Sequence, residues 1–162
     1  MKPPLFLRIA SVLTFIHCVL HTIGGVFSPP SHGAEEIAVI DAMKSHRFDV
    51  LGSMRSYWDF FFGYGLFVAL GLLIAAILFW QLSGFARNNA AFVRPIVALF
   101  FCNYVIMAIV SWRYFFIAPA ITELLIAACL GISFIALKPS ASSSQIGVEV
   151  NPGKLAKQAN KH

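Results

Sequence analysis

Four long apolar stretches are the feature of this chain that most restricts its fold. They cover about residues 5–27, 57–82, 93–116 and 119–137. A helix needs roughly 20 apolar residues to cross a bilayer, and in lipid a helix satisfies its own backbone hydrogen bonds. Charged residues make up only 12% of the 162 residues, whereas soluble domains carry about 25%. The sequence therefore predicts an all-α integral membrane protein, a bundle of four transmembrane helices.

Prolines and histidines help to define the predicted spans. Pro95 and Pro119 each suit the first turn of a helix, where the missing backbone N–H removes no hydrogen bond. Few residues separate the third and fourth spans, which predicts a tight antiparallel hairpin. The first span contains His17 and His21, and no A-x-A cleavage pattern follows it. We therefore interpret it as a retained helix rather than a signal peptide.

The basic residues are distributed unevenly about the spans. The net charge is +5, and eight of the twelve Lys and Arg residues lie in the N-terminal segment, between the second and third spans, or in the C-terminal segment. Lysine and arginine are enriched on the cytoplasmic side of membrane proteins. Both termini are thus predicted to be cytoplasmic, in the plasma membrane. Because the charge is explained as a topology signal, we expect membrane lipids as partners and no nucleic acid.

Two segments lie outside the predicted spans. Residues 28–56 form a sizeable outer loop, in which residues 34–46 are expected to form a short amphipathic helix bearing Ile37, Ile40 and Met43. We expect this helix to lie at the membrane surface, over the outer mouth of the bundle. Residues 138–162 are polar, with a serine run before a basic end, and predict a disordered cytoplasmic tail.

Polar and ionisable side chains inside the spans mark candidate sites, because they are costly in lipid. Each lies on a helix face that also carries small residues, so we predict that these faces turn inward around a polar pocket that opens to the outside. His17 would form the floor of this pocket, and the Asn103 face of the third span would also turn inward. The candidate ligand-binding residues are His17, His21, Arg55, Asp59, Arg113 and Glu123.

Several chemistries would use these side chains, and a purely structural role stays open for each. His17 and His21 are four residues apart and could ligate a metal together with carboxylates of facing helices. The H-E-x-x-H pattern of metalloproteases is absent, so we predict no metal and leave the cofactor unknown. His21, Asp59 and Glu123 are the candidate catalytic residues of an acid–base site. Arg55 and Asp59 could instead form an ion pair, since they are four residues apart.

Aromatic residues surround Asp59 at the start of the second span. They are Tyr57, Trp58, Phe60, Phe61, Phe62 and Tyr64. Such a cluster suits a flat apolar ligand such as a quinone, a sterol or an isoprenoid. It is also typical of the aromatic belt at a membrane interface, and both interpretations stay open.

Two motifs carry a resemblance to known proteins. The first is residues 21–24 (HTIG) followed by Pro30, and the second is residues 55–65 (RSYWDFFFGYG). With residues 114–116 (YFF) before Pro119, they resemble an uncharacterised family of small bacterial four-helix membrane proteins, and more loosely DoxX-like proteins. The resemblance covers residues 5–137 and implies the fold and an inner-membrane location, but no activity. The positions that match its pattern are His21, Arg55, Asp59, Gly63 and Gly65.

Two main functional hypotheses follow from these observations, and a third, a transporter, would need several copies of the chain because four short helices enclose little space. In the first, this multi-pass membrane protein binds a lipid-like small molecule in an outward-facing polar pocket, or serves as a subunit of a membrane complex. Its protein partner would then be another membrane protein or further copies of itself. In the alternative, the protein is a small membrane enzyme that acts on a lipid, quinone or isoprenoid by acid–base chemistry of its histidine and carboxylate side chains.

Overall fold

The computed structural model describes residues 2–137, and the predicted tail, residues 138–162, lies outside the described residues. The helices are α1 (Pro3–His21), α2 (Ala34–Ser45), α3 (Tyr57–Phe85), α4 (Ala90–Tyr114) and α5 (Ile117–Ala136). A π-helical turn, Thr22–Val26, extends α1, and the strands β1 (Arg47–Val50) and β2 (Ser53–Ser56) lie between α2 and α3. The described chain is therefore helical except for one hairpin and its connections.

Four helices are long and apolar enough to cross a membrane, namely α1 with its π-helical turn, α3, α4 and α5. Only 17% to 33% of the residues in their most apolar windows are buried inside the protein. Most of the apolar surface therefore faces outward, where lipid would cover it. This confirms the predicted all-α bundle of four membrane-spanning helices.

The two prolines occupy different helix positions. Pro119 is the third residue of α5, within the first turn as predicted. Pro95 is the sixth residue of α4, where it leaves the Ala91 carbonyl without a helical N–H partner. The prediction of a first-turn position for Pro95 was wrong, because the Asn89 carbonyl accepts from the backbone N–H groups of residues 92 and 93 and starts the helix earlier.

Helix α1 occupies the centre of the bundle. It packs along α3 on one side and along α5 on the other, and α5 packs along α4. The backbones of α3 and α4 approach less closely, and aromatic rings fill the space between them. The centroid of Phe79 on α3 lies 5.1 Å from that of Phe100 and 6.0 Å from that of Tyr104, both on α4. The core residues include Leu7, Ala10, Phe79, Val97, Tyr104, Ile126 and Leu130.

The bundle has two different ends. At the tail end, α1 begins and α5 finishes, and Ser133 Oγ lies 3.5 Å from the Pro3 carbonyl oxygen. The opposite end, called the loop end, carries α2, the hairpin and the connection between α4 and α5. The first and last described residues therefore lie at the same end, as four consecutive spans require.

The segment between the first two spans is more ordered than the sequence predicted. The short helix expected at residues 34–46 is present as α2, with Ile40 and Met43 half-buried. The hairpin that follows was not predicted. Its strands pair antiparallel, and the two turn residues Leu51 and Gly52 have φ values of 53° and 85°. Positive φ at both positions matches the twist of a two-residue hairpin turn.

Candidate functional site

Polar side chains of α1 bond to the backbone of α3 along the whole contact between these helices. Near the middle, Ser11 Oγ donates to the Ala76 carbonyl oxygen at 2.7 Å. At the loop end, His21 Nε2 lies 3.0 Å from the Gly65 carbonyl oxygen. Because a carbonyl oxygen only accepts, Nε2 carries the hydrogen in this contact. Hydrogen bonds of this kind between membrane helices contribute roughly 0.6 kcal/mol each on average.

The two sequence motifs meet at the loop end of this contact. His21 belongs to the first motif and its partner Gly65 to the second. Gly65 also faces Val26 in the π-helical turn, and a Cβ atom at Gly65 would lie 2.9 Å from Val26 Cγ2. The absence of a side chain at Gly65 therefore allows the end of the first span to rest directly on α3.

Asp59 and Arg55 do not form the ion pair considered from their spacing. The Asp59 carboxylate accepts from the backbone N–H of Ser56 at 2.8 Å, and the Ser56 hydroxyl accepts from the Asp59 N–H at 3.2 Å. This reciprocal pair is a capping box that starts α3. Arg55 is exposed and donates to the neighbouring Met54 carbonyl oxygen at 3.0 Å. Asp59 is thus engaged at the helix start, and it is not placed beside His21.

Among the Asp, Glu, Lys and Arg residues of the described bundle, Glu123 is the most deeply buried. Only 2% of it is exposed, and its Oε2 atom has no hydrogen-bond partner. Ser111 on α4 faces the carboxyl group, and the nearby Tyr104 hydroxyl lies 3.4 Å from Thr14 Oγ1 on α1. Side chains of α1, α4 and α5 therefore form a small buried polar cluster between the helices.

The remaining candidates lie apart from this cluster. His17 is half-buried, and its Nδ1 atom has no hydrogen-bond partner. Arg113 is exposed at the end of α4, with its guanidinium 5.4 Å from the ring centre of Tyr114. In the described part of the chain, no hydrogen bond or ion pair joins any two of the six candidates, although His17 and His21 lie one turn apart on α1. Within residues 2–137, no group of three or more His, Cys, Asp or Glu side chains is arranged to hold a metal ion.

A cleft opens at the loop end between α2, the start of α3 and the end of the first span. Its volume is about 310 Å³. Aliphatic and aromatic side chains form most of its wall, and Asp41 and Lys44 supply the charged groups. Lys44 Nζ lies 4.7 Å from the ring centre of Trp58. The full lining consists of Val26, Phe27, Ser28, Pro30, Ile37, Ile40, Asp41, Lys44, Trp58 and Phe62.

The cleft contains none of the six residues proposed from the sequence. The six candidates are ionisable groups in the spans or, for Arg55, directly before one, whereas the charged cleft residues belong to α2 in the outer loop. Two signals in the sequence pointed to the cleft: the predicted helix over the outer mouth supplies Ile37 and Ile40, and the aromatic cluster at the start of the second span supplies Trp58 and Phe62. Their spacing of four residues places them on the same face of α3.

The chain matches no protein-family model, and comparisons with curated proteins and with solved structures returned no match. The geometry of the cleft and of the buried polar groups is therefore what indicates a function.

Proposed function

We propose that this multi-pass membrane protein binds one lipid-like amphiphile in the cleft at its loop end, on the outer side of the plasma membrane. The cleft itself is the observation that carries the proposal. Its volume of about 310 Å³ lies at the lower end of the range for small-molecule sites. It would therefore hold a headgroup and the first part of a chain, while the rest of the chain stays in the bilayer.

The chemistry of the wall supports an amphiphile. Phe27 and Phe62 meet edge-to-face with centroids 5.5 Å apart and give the cleft an apolar side next to the bundle. Asp41 and Lys44 give it one negative and one positive group on α2. A zwitterionic headgroup that contains a phosphate and an amine complements such a pair. The tryptophan in the wall is typical of the membrane interface, where headgroups lie.

We retain the resemblance carried by the two motifs as part of the proposal, because residues from the regions of both motifs line the cleft. Val26 and Phe27 lie between the HTIG segment and Pro30 of the first motif, and Trp58 and Phe62 lie within the second. The His21–Gly65 contact joins the motifs beneath the cleft. The residues that carry the resemblance would then serve to build and support one binding site.

Native mass spectrometry of the full chain tests the proposal. The protein is transferred to detergent micelles that contain phosphatidylethanolamine, and the spectrum is examined for a one-to-one lipid adduct. Ile40→Trp fills the cleft, whereas the matched control Val39→Trp changes an exposed neighbour outside the lining. We expect the adduct in the wild type and in Val39→Trp and its loss in Ile40→Trp. Equal adducts in both variants would refute the cleft as the lipid site.

The acid–base alternative has its own supporting observation. His17 Nδ1 and Glu123 Oε2 are buried atoms without hydrogen-bond partners, and such groups are available to exchange protons. Neither residue lines the cleft. Glu123→Gln should therefore leave the lipid adduct unchanged if binding is the function. Conversion of added lipid by the wild type, abolished in Glu123→Gln, would favour the enzyme instead.

A further inference from the structure

The outward face of α4 carries a polar amide within a stripe that is otherwise apolar until it ends at Arg113. Asn103 is the fourteenth of the 25 residues of α4, so it lies near the middle of the span. It is exposed, contrary to the prediction that its face turns inward. Helix α4 instead buries the face that bears Val97, Tyr104 and Ser111, because the Tyr104 hydroxyl reaches Thr14 across the bundle.

The Asn103 carboxamide lacks an adequate partner in its own chain. Its Nδ2 atom lies 3.6 Å from Met107 Sδ, and a thioether sulfur is only a weak acceptor. Within residues 2–137, the Asn103 side chain forms no other hydrogen bond. Lipid acyl chains cannot supply a donor or an acceptor at this depth. A polar group of another polypeptide would satisfy the amide.

The apolar residues around Asn103 are spaced as a helix–helix contact requires. Steps of three and four residues connect an exposed row of side chains, in which Leu99 is 70% exposed and Ile106 is 60% exposed. This average spacing of 3.5 residues keeps a seam continuous along two helices that cross at a small left-handed angle. The row consists of Phe92, Pro95, Leu99, Asn103, Ile106, Val110 and Arg113.

We propose that a second copy of this chain covers the outward face of α4, and that the two Asn103 carboxamides hydrogen-bond to each other. An asparagine amide is both donor and acceptor, so it complements its own copy. Two copies inserted in the same orientation hold Asn103 at the same depth. A twofold axis along the membrane normal then brings identical residues together in an isologous contact.

Helices α3 and α5 offer no comparable group in their middle turns, and the unpartnered Nδ1 atom of His17 on α1 is buried within the protein. The middle turns of α3 and α5 expose aliphatic side chains, for example Leu70 and Leu124. Interhelical association in lipid depends on close packing and polar contacts, since burial of apolar surface gives little gain. The amide therefore selects α4 as the interface.

Energy transfer between labelled copies in vesicles tests this interface. The full chain, with Cys18, Cys102 and Cys129 replaced by alanine and with Ser53→Cys in the exposed hairpin, carries a donor or an acceptor dye. Energy transfer is followed as lipid dilutes the protein. We expect concentration-dependent dimers in the wild type. Asn103→Leu should weaken association by about tenfold, since it removes reciprocal interhelical hydrogen bonds. Asn103→Gln, which keeps the amide, should restore association.

Leu124→Ala serves as the control, because it alters an exposed residue of α5 at a similar position in its span. It should leave the dilution curve unchanged. Equal association of Asn103→Leu and the wild type would refute the interface. A wild type that is monomeric at every dilution would likewise overturn the proposal and assign the face to a different protein or to lipid.

Discussion

The contact between Gly65 and Val26 gives a direct test of how the loop end is held together. A methyl group added at Gly65 would lie 2.9 Å from Val26 Cγ2, whereas carbon atoms in contact are normally about 3.5–4.0 Å apart. Val26 cannot easily turn aside, because its β-branched side chain is stiff and only 8% exposed. Gly65→Ala therefore forces the π-helical turn away from α3.

The change in stability expected for Gly65→Ala results from two opposing effects. Overpacking of this kind costs about 1–3 kcal/mol, while alanine is favoured over glycine within a helix by about 1 kcal/mol. Gly71→Ala is the matched control on the same helix, because no atom lies within 4 Å of its added methyl group. It should keep the helix-propensity gain without the clash. We therefore expect Gly65→Ala to be less stable than Gly71→Ala by about 1–3 kcal/mol.

Unfolding in mixed micelles with increasing sodium dodecyl sulfate, followed by circular dichroism, measures this difference. Val26→Ala removes the atom that the new methyl group would meet, so Gly65→Ala should cost less in that background. A coupling of about 1 kcal/mol or more between the two changes is expected, since the residues are in contact. Equal stabilities of Gly65→Ala and Gly71→Ala would refute the inference that α1 and α3 require a glycine at this position.

Three further predictions follow from buried or capping carboxylates. Glu123→Gln preserves the shape of a buried side chain whose Oε2 atom is unpartnered, so it should leave the free energy of unfolding unchanged or raise it. Glu123→Ala should lower the free energy of unfolding by about 2–4 kcal/mol, because it leaves a cavity. Equal losses for the two variants in the same unfolding assay would contradict this prediction. Asp59→Ala should destabilise the protein by about 0.5–2 kcal/mol, because the capping box is lost. Arg55→Ala should change the free energy of unfolding by less than about 0.5 kcal/mol. Similar losses of stability in the two variants would instead indicate an ion pair. The backbone N–H of His32 lowers the pKa of Glu36, to whose carboxylate it donates at 2.7 Å, so this contact is complete above the ordinary glutamate pKa and is lost as pH falls through the lowered value. The NMR shift of the His32 amide should therefore titrate below about 4.3, and a midpoint at or above that pH would contradict the assignment.

The spans could be predicted because their length and composition leave a chain in lipid with few other solutions. Apolar runs of sufficient length give four helices regardless of their tertiary contacts. The hairpin between α2 and α3 left a weaker signal. Its strands have only four residues each, and one of the two left-handed turn positions is occupied by Leu51 rather than by glycine or asparagine. Positive φ is uncommon for leucine, so the sequence alone gave little reason to place a turn there.

The rotation of each helix was harder to predict than its position. In lipid both faces of a helix are apolar, so hydrophobicity does not distinguish the core side from the outer side. The expectation that small and polar residues face inward was confirmed for Glu123 and Ala127 of α5, which are both buried. The same rule failed for Asn103, because the large side chain of Tyr104 fixes the inward face of α4 by reaching Thr14. The partner of His21 is a backbone carbonyl group, which has no signature in the sequence.

Val26 connects the support of the loop end to the proposed binding site. One side of this residue rests against Gly65, and the residue also lines the cleft. The wall of the cleft is therefore fixed by the closeness with which the first span approaches α3, rather than by α2 alone. Because an interior packed at this distance cannot shift by a fraction of an ångström without cost, the shape of the cleft depends on a glycine outside its lining. Residues of the two motifs that do not line the cleft are therefore expected to influence the shape of the proposed site.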